Sequence, residues 1–319
     1  MLQSYQDILN KGLQDYQLPN HPRNLYEPVR YLLNLGGKRI RPVLVLMAAD
    51  LFGGEPEKAL HAALAIEVFH NFTLIHDDIM DQAPIRRGQP TVHEKWDTNT
   101  AILSGDVMMV EANKHLTKTE VTYLKKVLDV FNETAQGVCE GQLLDMEFEK
   151  RHDVSIAEYI GMIRLKTAIL LGGALQIGAI IGGAADADAR LIYDFGVNLG
   201  LAFQLQDDIL DVYGDPEKFG KQIGGDILSD KKTFLLLTAF QQANEAQRKQ
   251  LADLVGSQHP GKVAAVTALY DELNVRAFAE AEMDTFSEQA FDALKSISVN
   301  DFRKAALLDL AENILAREK

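Results

Sequence analysis

Phe72-Thr73-Leu74-Ile75-His76-Asp77-Asp78-Ile79-Met80-Asp81 is the stretch on which the reading of this chain turns. It returns in outline as Phe203-Gln204-Leu205-Gln206-Asp207-Asp208-Ile209-Leu210-Asp211. Each copy ends an apolar run patterned as a helix. Residues three and four apart share a helix face, so each motif presents its three carboxylates as one cluster. A single acidic cluster is commonly no more than a solvated helix face. Two clusters with apolar flanks are a different case, because like charges held together do not all stay ionised without cations. Facing each other, they would form an oxygen-rich pocket suited to Mg²⁺. That ion takes one or two carboxylates and completes its shell with water and phosphate oxygens. The pattern predicts a divalent-metal site that works on a diphosphate.

Helix signals continue on both sides of the two motifs. Lys58 to Met80 reads as one long apolar-periodic helix with the first motif at its end. Upstream, Tyr26 to Asn34 reads as a helix stopped by Gly36-Gly37. Pro42 opens a second helix that runs through Asp50 to the stop at Gly53-Gly54. Downstream, Gln82 to Thr91 reads as a loop. Helices are predicted over Thr98–His115, Val121–Lys150, Ile156–Gly183 and Asp186–Tyr213, the last carrying the second motif. Gly214 to Asp230 is rich in glycine, lysine and aspartate and reads as a flexible loop, and helices resume from Lys232. Strand-like alternation is scarce and no linker divides the chain. The fold class is all-α: a single-domain helical bundle over 1–319 around a central active-site cavity.

Composition narrows the function. With 47% hydrophobic and 24% charged residues, the chain has ample material for a large core. A formal net charge of −14 argues against nucleic acid and against broad binding to anionic lipid. It does not argue against a phosphorylated substrate, since local cations or metals set the field within a pocket. The lone cysteine, Cys139, excludes an intrachain disulfide and fits a reducing compartment. The start, Met1 to Asp7, lacks the pattern of a signal peptide. The uncharged run Ala168 to Ala185 reaches the lower limit for a membrane span, but its glycines and Gln176 favour a buried core helix that a neighbour can approach closely.

Cations accompany both acidic motifs. Gly36-Gly37-Lys38-Arg39-Ile40-Arg41-Pro42 sets positive charge at a helix-to-helix turn, where backbone donors and a helix N-terminus also favour anions. The stretch is not a Walker A loop, and by itself it could be an exposed basic turn. Arg86-Arg87 follow the first motif. Adjacent arginines can face different ways, so each could serve a different phosphate group. Lys166, Lys221 and Lys231 lie in or beside the segments of the second motif. His70 stands two turns before Asp77 on the same face. A histidine on an apolar helix is more commonly a satisfied core residue, but this placement favours a functional one. No Ser-His-Asp or Cys-His arrangement suggests a protein nucleophile.

Taken together, Gly36 to Pro42, Leu74 to His93, Lys166-Thr167, Phe203 to Asp215, Lys221 and Lys231 resemble the trans-isoprenyl diphosphate synthases of the polyprenyl synthetase family. The resemblance spans most of the chain. It implies an isoprenoid synthase-like bundle, a homodimer, a cytoplasmic setting and Mg²⁺ as cofactor, with three ions when substrate is bound. It implies that Asp77, Asp78, Asp81, Asp207, Asp208 and Asp211 hold those ions on an allylic diphosphate, with Asp211 the least direct ligand. Arg86, Lys166, Lys221 and Lys231 would grip the same diphosphate. Lys38, Arg41, His70 and Arg87 would bind isopentenyl diphosphate, and Thr167 and Gln204 would turn oxygen dipoles toward the developing allylic cation.

The product is then a short all-trans prenyl diphosphate. An aromatic residue five before the motif, Phe72, with small Thr73 at the fourth position, resembles enzymes making the C20 geranylgeranyl product. Phe69 and Phe72 would close the floor of the chain tunnel. On an ideal helix Phe72 points away from the carboxylates, so ordinary core packing is an equal alternative. Farnesyl diphosphate is the second reading of the product. A terpene cyclase would not need the second substrate site formed by Lys38, Arg41 and His70. A non-catalytic helical subunit would be expected to carry degraded motifs, and these are intact.

Overall fold

Helices form almost wherever apolar residues recur at the helical period. A computed structural model describes residues 2–215, 223–257 and 259–316. The chain resolves into two compact units. The first comprises Met1–Glu133, Gly173–Tyr193 and Ser298–Ala306, and the second Thr134–Gly172, Asp194–Ile297 and Leu307–Lys319.

In the first unit, α1 (Leu2–Asp15), α2 (Arg23–Asn34) and α3 (Ile40–Leu51) lead through a 3₁₀ turn, Pro56–Ala59, into α4 (Leu60–Met80). Two short strands follow, β1 (Ile85–Arg86) and β2 (Gln89–Pro90), then α5 (Val92–Lys95), α6 (Thr98–Leu116) and the start of α7 (Val121–Lys150). The run Ala62–Phe69 makes α4 the buried spine of the unit. It packs along α6 and α3. Asp97 starts α6 by accepting the Thr100 N–H at 2.9 Å, an ordinary N-cap. The sequence reading contained no helix at α1. Its amphipathic face is short, and it is secured by tertiary partners: Leu9 is buried, and the Tyr5 hydroxyl donates to Asp50 at 2.5 Å.

The second unit takes in the remainder of α7, then α8 (Ile156–Ile163) and one turn of π-helix, Arg164–Ala168. It shares α9 (Ile169–Ile181) and α10 (Asp186–Tyr213) with the first unit, and continues through α11 (Gly225–Leu228), α12 (Phe234–Gln242), α13 (Glu245–Leu254), α14 (Lys262–Glu272) and α15 (Val275–Ser296). The last helix is α16 (Asp301–Leu315). Ser155 and Glu158 form a capping box that sets the start of α8. Two features correct the sequence reading. The helix expected over Ile156–Gly183 is interrupted by the π turn, and the loop expected over Gly214–Asp230 contains α11.

The small residues of the apolar run act as expected. A Cβ on Gly182 would stand 2.5 Å from the Ala49 carbonyl oxygen, and one on Gly178 would collide with that of Val45, so α9 lies directly against α3 within the first unit. In the second unit, a Cβ on Gly200 would stand 2.7 Å from Ala168 Cα. Among the described residues, Ile156–Ile181 is the one helical run long and apolar enough to cross a membrane, and 61% of its most apolar window is buried within the protein.

Candidate active site

The first acidic motif occupies the last turn of α4, with Asp81 as the residue that ends the helix. Its three carboxylates are not equivalent. Asp78 is 1% exposed, and Arg86 grips it with a fork. Arg86 Nε lies 2.8 and 2.9 Å from the two carboxylate oxygens, and a terminal nitrogen lies 2.7 Å from the first of them. Two-point pairing of this kind is the strong form of a charge-assisted hydrogen bond. Asp77 is half-buried and Asp81 exposed, at the i, i+4 spacing of one helix face.

Local backbone geometry explains how Arg86 reaches back. Strands β1 and β2 form a hairpin in which Ile85 pairs with Pro90 and Arg86 with Gln89. Its two turn residues, Arg87 and Gly88, have φ of 52° and 74°. Positive φ at both positions is the type I′ turn that matches the twist of a tight hairpin. Arg87 therefore departs in the other direction. Its guanidinium donates to the Gly36 carbonyl and lies so near Gly37 that a Cβ there would stand 2.8 Å from Arg87 Cζ. The two adjacent arginines do serve different places.

Arg87 thereby joins a cationic cluster at the start of α3. Gly36, Gly37 and Arg39 have φ of 75°, 133° and 47°, which turns the chain tightly between α2 and α3. Lys38 is exposed at this turn. Arg41 reaches His70 on α4, with Nη1 3.3 Å from Nε2. Burial, together with the nearby Arg41, Arg87 and Arg86, holds the His70 imidazole well below its usual pKa, so the ring is neutral and accepts from Arg41. Burial also lowers the Arg41 guanidinium to about 10. Arg41 Nε is buried without a hydrogen-bond partner, a donor for which the described residues supply no acceptor.

The second motif closes α10 and follows the same plan. Its middle residue, Asp208, is 3% exposed. It accepts a short hydrogen bond from the Tyr159 hydroxyl, and further bonds from Gln204 Nε2 at 3.3 Å and the Phe234 N–H at 3.4 Å. Burial pushes its carboxyl up to about 7, aided by Asp226 and opposed by Tyr159, Gln204 and Lys231. Asp207 and Asp211 are half-buried, and Asp211 accepts the Asp226 N–H at 2.9 Å where α11 begins.

Lys166 and Thr167 ride on the π turn. Such bulges rotate side chains out of helical register and recur at functional sites. Lys166 Nζ lies 2.5 Å from Asp145 on α7, and Thr167 donates to Gln204 Oε1 at 3.4 Å. Gly141 permits this approach, since a Cβ there would run into the Lys166 backbone nitrogen. Lys231 is exposed, 3.9 Å from Asp226. Lys221, also singled out from sequence, lies outside the described residues.

Residues 22–273 match the polyprenyl synthetase family. The chain belongs to that family. It is 40% identical to a geranylgeranyl diphosphate synthase from Sulfolobus acidocaldarius, over 92% of this chain and 91% of the other. It is 36% identical to a short chain isoprenyl diphosphate synthase from Methanothermobacter thermautotrophicus, over 100% of this chain and 98% of the other. A crystal structure of a geranylgeranyl pyrophosphate synthase superposes with a TM-score of 0.95 at 41% identity, covering 100% of this chain and 99% of that one.

The polyprenyl synthetase motifs fit magnesium by their donor chemistry, since every candidate ligand is a hard carboxylate oxygen. Among the described residues no three His, Cys, Asp or Glu side chains converge on one point. A metal here would therefore need substrate phosphate oxygens to fill its shell, which is the usual habit of Mg²⁺. The chain-length candidates sit on α4. Phe69 is fully buried against Phe131, with ring centroids 5.2 Å apart. Phe72 is half-buried between Phe69 and His76, at 5.6 and 4.8 Å. Thr73 turns its hydroxyl to the His70 carbonyl at 2.8 Å.

Four residues escaped the sequence reading: Tyr159, Asp145, Asp226 and Glu67. Glu67 had a usable signal, as the one charge in the apolar run Ala62–Phe69. Charged groups in such runs are almost never fully buried unless paired. Tyr159 and Asp145 had none, because their partners Asp208 and Lys166 are distant in sequence.

Tyr159→Phe is expected to destabilise this synthetase by about 1–3 kcal/mol at pH 8 and by less at pH 5. Asp208 in the folded protein is protonated at pH 5 and then depends less on the phenol, whereas at pH 8 it is charged. Because its folded pKa lies above that of the unfolded carboxyl, native stability falls as pH rises from about 4 to about 7, and losing a donor to the charged form widens the deficit above that range. Denaturant melts at the two pH values check this; an equal deficit at both would contradict it.

Proposed function

We propose that the chain is a short-chain trans-isoprenyl diphosphate synthase. It condenses isopentenyl diphosphate with an allylic diphosphate, and geranylgeranyl diphosphate is its main product, with farnesyl diphosphate the alternative. The observation that carries this reading is the cationic cluster of Lys38, Arg41 and Arg87 around the neutral His70. It is a second anion-handling device beside an acidic metal motif, and a terpene cyclase, with one diphosphate to bind, has no use for it. The relatives named as geranylgeranyl diphosphate synthases support the product. Both units act as one prenyl synthetase domain in this reading, since a single family match runs through residues of both.

The geometry supports the following assignment of roles. Asp77, Asp81, Asp207 and Asp211 would hold Mg²⁺, which screens the charge gathering on the departing diphosphate. Asp78 and Asp208, already engaged by Arg86 and Tyr159, brace the two helix ends and keep the outer carboxylates aimed. Arg86, Lys166, Lys221 and Lys231 would grip the allylic diphosphate. Lys166 exchanges the Asp145 oxygen for a phosphate oxygen when it does so. Thr167 and Gln204 turn oxygen dipoles toward the allylic carbon as its C–O bond breaks. The double bond of isopentenyl diphosphate supplies the electron pair for the new C–C bond, and the proton lost from the adduct passes to the released diphosphate. Water must be kept from the cation.

The chain-length assignment rests on Phe72, whose ring packs against Phe69 and edge-on against His76. A homodimer is part of the same reading. It is supported by α6, which exposes Ile102, Leu103 and Val110 at 40%, 58% and 54%, more apolar surface than one helix face usually leaves to water. The cytoplasmic setting is supported by the absence of cysteine other than Cys139.

Incubation with isopentenyl diphosphate and an allylic primer should give a linear C20 diphosphate. A cyclic hydrocarbon without chain growth would favour the cyclase instead. Asp77→Ala should lower turnover about a thousandfold or more with the thermal melt little changed, and full activity would remove the metal role. Phe72→Ala should shift the chromatographic profile to longer prenyl chains; the same profile would assign Phe72 to core packing. Light scattering on the purified protein should return twice the chain mass, and a monomer would discard the dimer.

A further inference from the structure

We propose that Glu67 is a positioning residue for isopentenyl diphosphate, its buried carboxylate serving as the shared counter-charge that holds Arg39, Arg41 and Arg87 as one pocket. This deepens the reading of that pocket given above and rests on it. Glu67 is 4% exposed on the buried face of α4, one turn before His70 and Asn71. A carboxylate there is strongly unfavourable without cations close by. Arg39 Nε is 3.9 Å away, and the charges of Arg87 and Arg41 also act on it against the effect of burial.

The carboxylate is itself held in place. Asn71, 1% exposed, donates its side-chain amide to the Glu67 carbonyl at 2.8 Å and to Glu67 Oε1 at 3.1 Å. Its rotamer is therefore set before any ligand arrives. Arg39 transmits that placement outward. Its Nη1 donates to Asn10 Oδ1 on α1 at 2.9 Å, and its Nη2 to the Leu33 carbonyl on α2 at 3.2 Å. Arg39 thus ties both terminal nitrogens to protein partners and acts as a strut, while its Nε, nearest to Glu67, is buried without a hydrogen bond. Arg41 keeps a buried Nε without a partner, and Arg87 sits at the edge over Gly36 and Gly37.

Arg39 stands beside this carboxylate and the fields of Arg41 and Arg87 reach it, so one anion offsets only part of three positive charges and the pocket retains an excess that a diphosphate neutralises. With no shared anion the three would repel one another and splay, and the partly filled pocket would lose the geometry that a two-point phosphate grip requires. Glu67 touches neither reacting carbon nor phosphate. It acts through the arginines.

Steady-state kinetics with each substrate varied in turn tests the proposal. Glu67→Gln keeps the shape and the Asn71 bond and removes only the charge. It should raise KM for isopentenyl diphosphate about tenfold or more, while KM for the allylic primer stays within about twofold and kcat falls little. Glu67→Asp keeps the charge but withdraws it by one methylene. It should give a smaller rise in the same KM, and it carries the test if the glutamine variant does not fold. Arg41→Lys is measured alongside. If it raises KM for isopentenyl diphosphate while both Glu67 variants leave that constant unchanged, the positioning role is overturned and the pocket stands. If Arg41→Lys also changes nothing, the pocket reading falls and this inference falls with it. An equal rise in both KM values, or a loss of thermal stability alone, would reduce Glu67 to a structural residue.

Discussion

A charge cannot be set on a buried helix face unless something nearby answers it. Water-to-interior transfer of an unpaired carboxylate or guanidinium costs far more than any single packing contact returns. The architecture around both acidic motifs follows from that constraint. Asp78 is answered by the fork of Arg86, Asp208 by a phenol, an amide and a backbone N–H, and Lys166 by Asp145. Glu67 is answered by arginines and Asn71. In each motif the buried middle carboxylate is paired and its neighbours are less buried: Asp77 and Asp81 in the first, Asp207 and Asp211 in the second.

Regular helix could not deliver these pairings. Arg86 returns to Asp78 because the chain reverses in two residues through positive-φ backbone at Arg87 and Gly88. Lys166 and Thr167 leave the helical register on a π turn, and Gly141 gives that turn room. Arg39 reaches α1, α2 and Glu67 from a left-handed position between two helices. Three of these departures carry a cation, at Arg87, at Lys166 and at Arg39. The departures have a conformational cost, and the ion pairs they complete offset it.

The helices and both motifs are legible in the sequence, because apolar periodicity and carboxylate spacing are local properties. The long spine ending in Asp77 to Asp81, the glycine stops before α3 and the close approach allowed by Gly178 and Gly182 all follow from neighbours in the chain. Helix α1 is less legible, since a short amphipathic stretch becomes a helix only when Tyr5 and Leu9 have somewhere to dock. The β hairpin hides in what reads as a proline-rich loop, and the π turn inside what reads as unbroken helix.

The sequence alone determined which residues are charged, which helix face each occupies and that two cation sets attend two acidic motifs. Tertiary structure alone decided how deeply each charge is buried and which partner it meets. Asp77 and Asp78 are indistinguishable as letters, as are Arg86 and Arg87. They differ because folding buries Asp78 against Arg86 and turns Arg87 to the Gly36 carbonyl instead, and the free energy of a charge is set by its surroundings, not by its residue type.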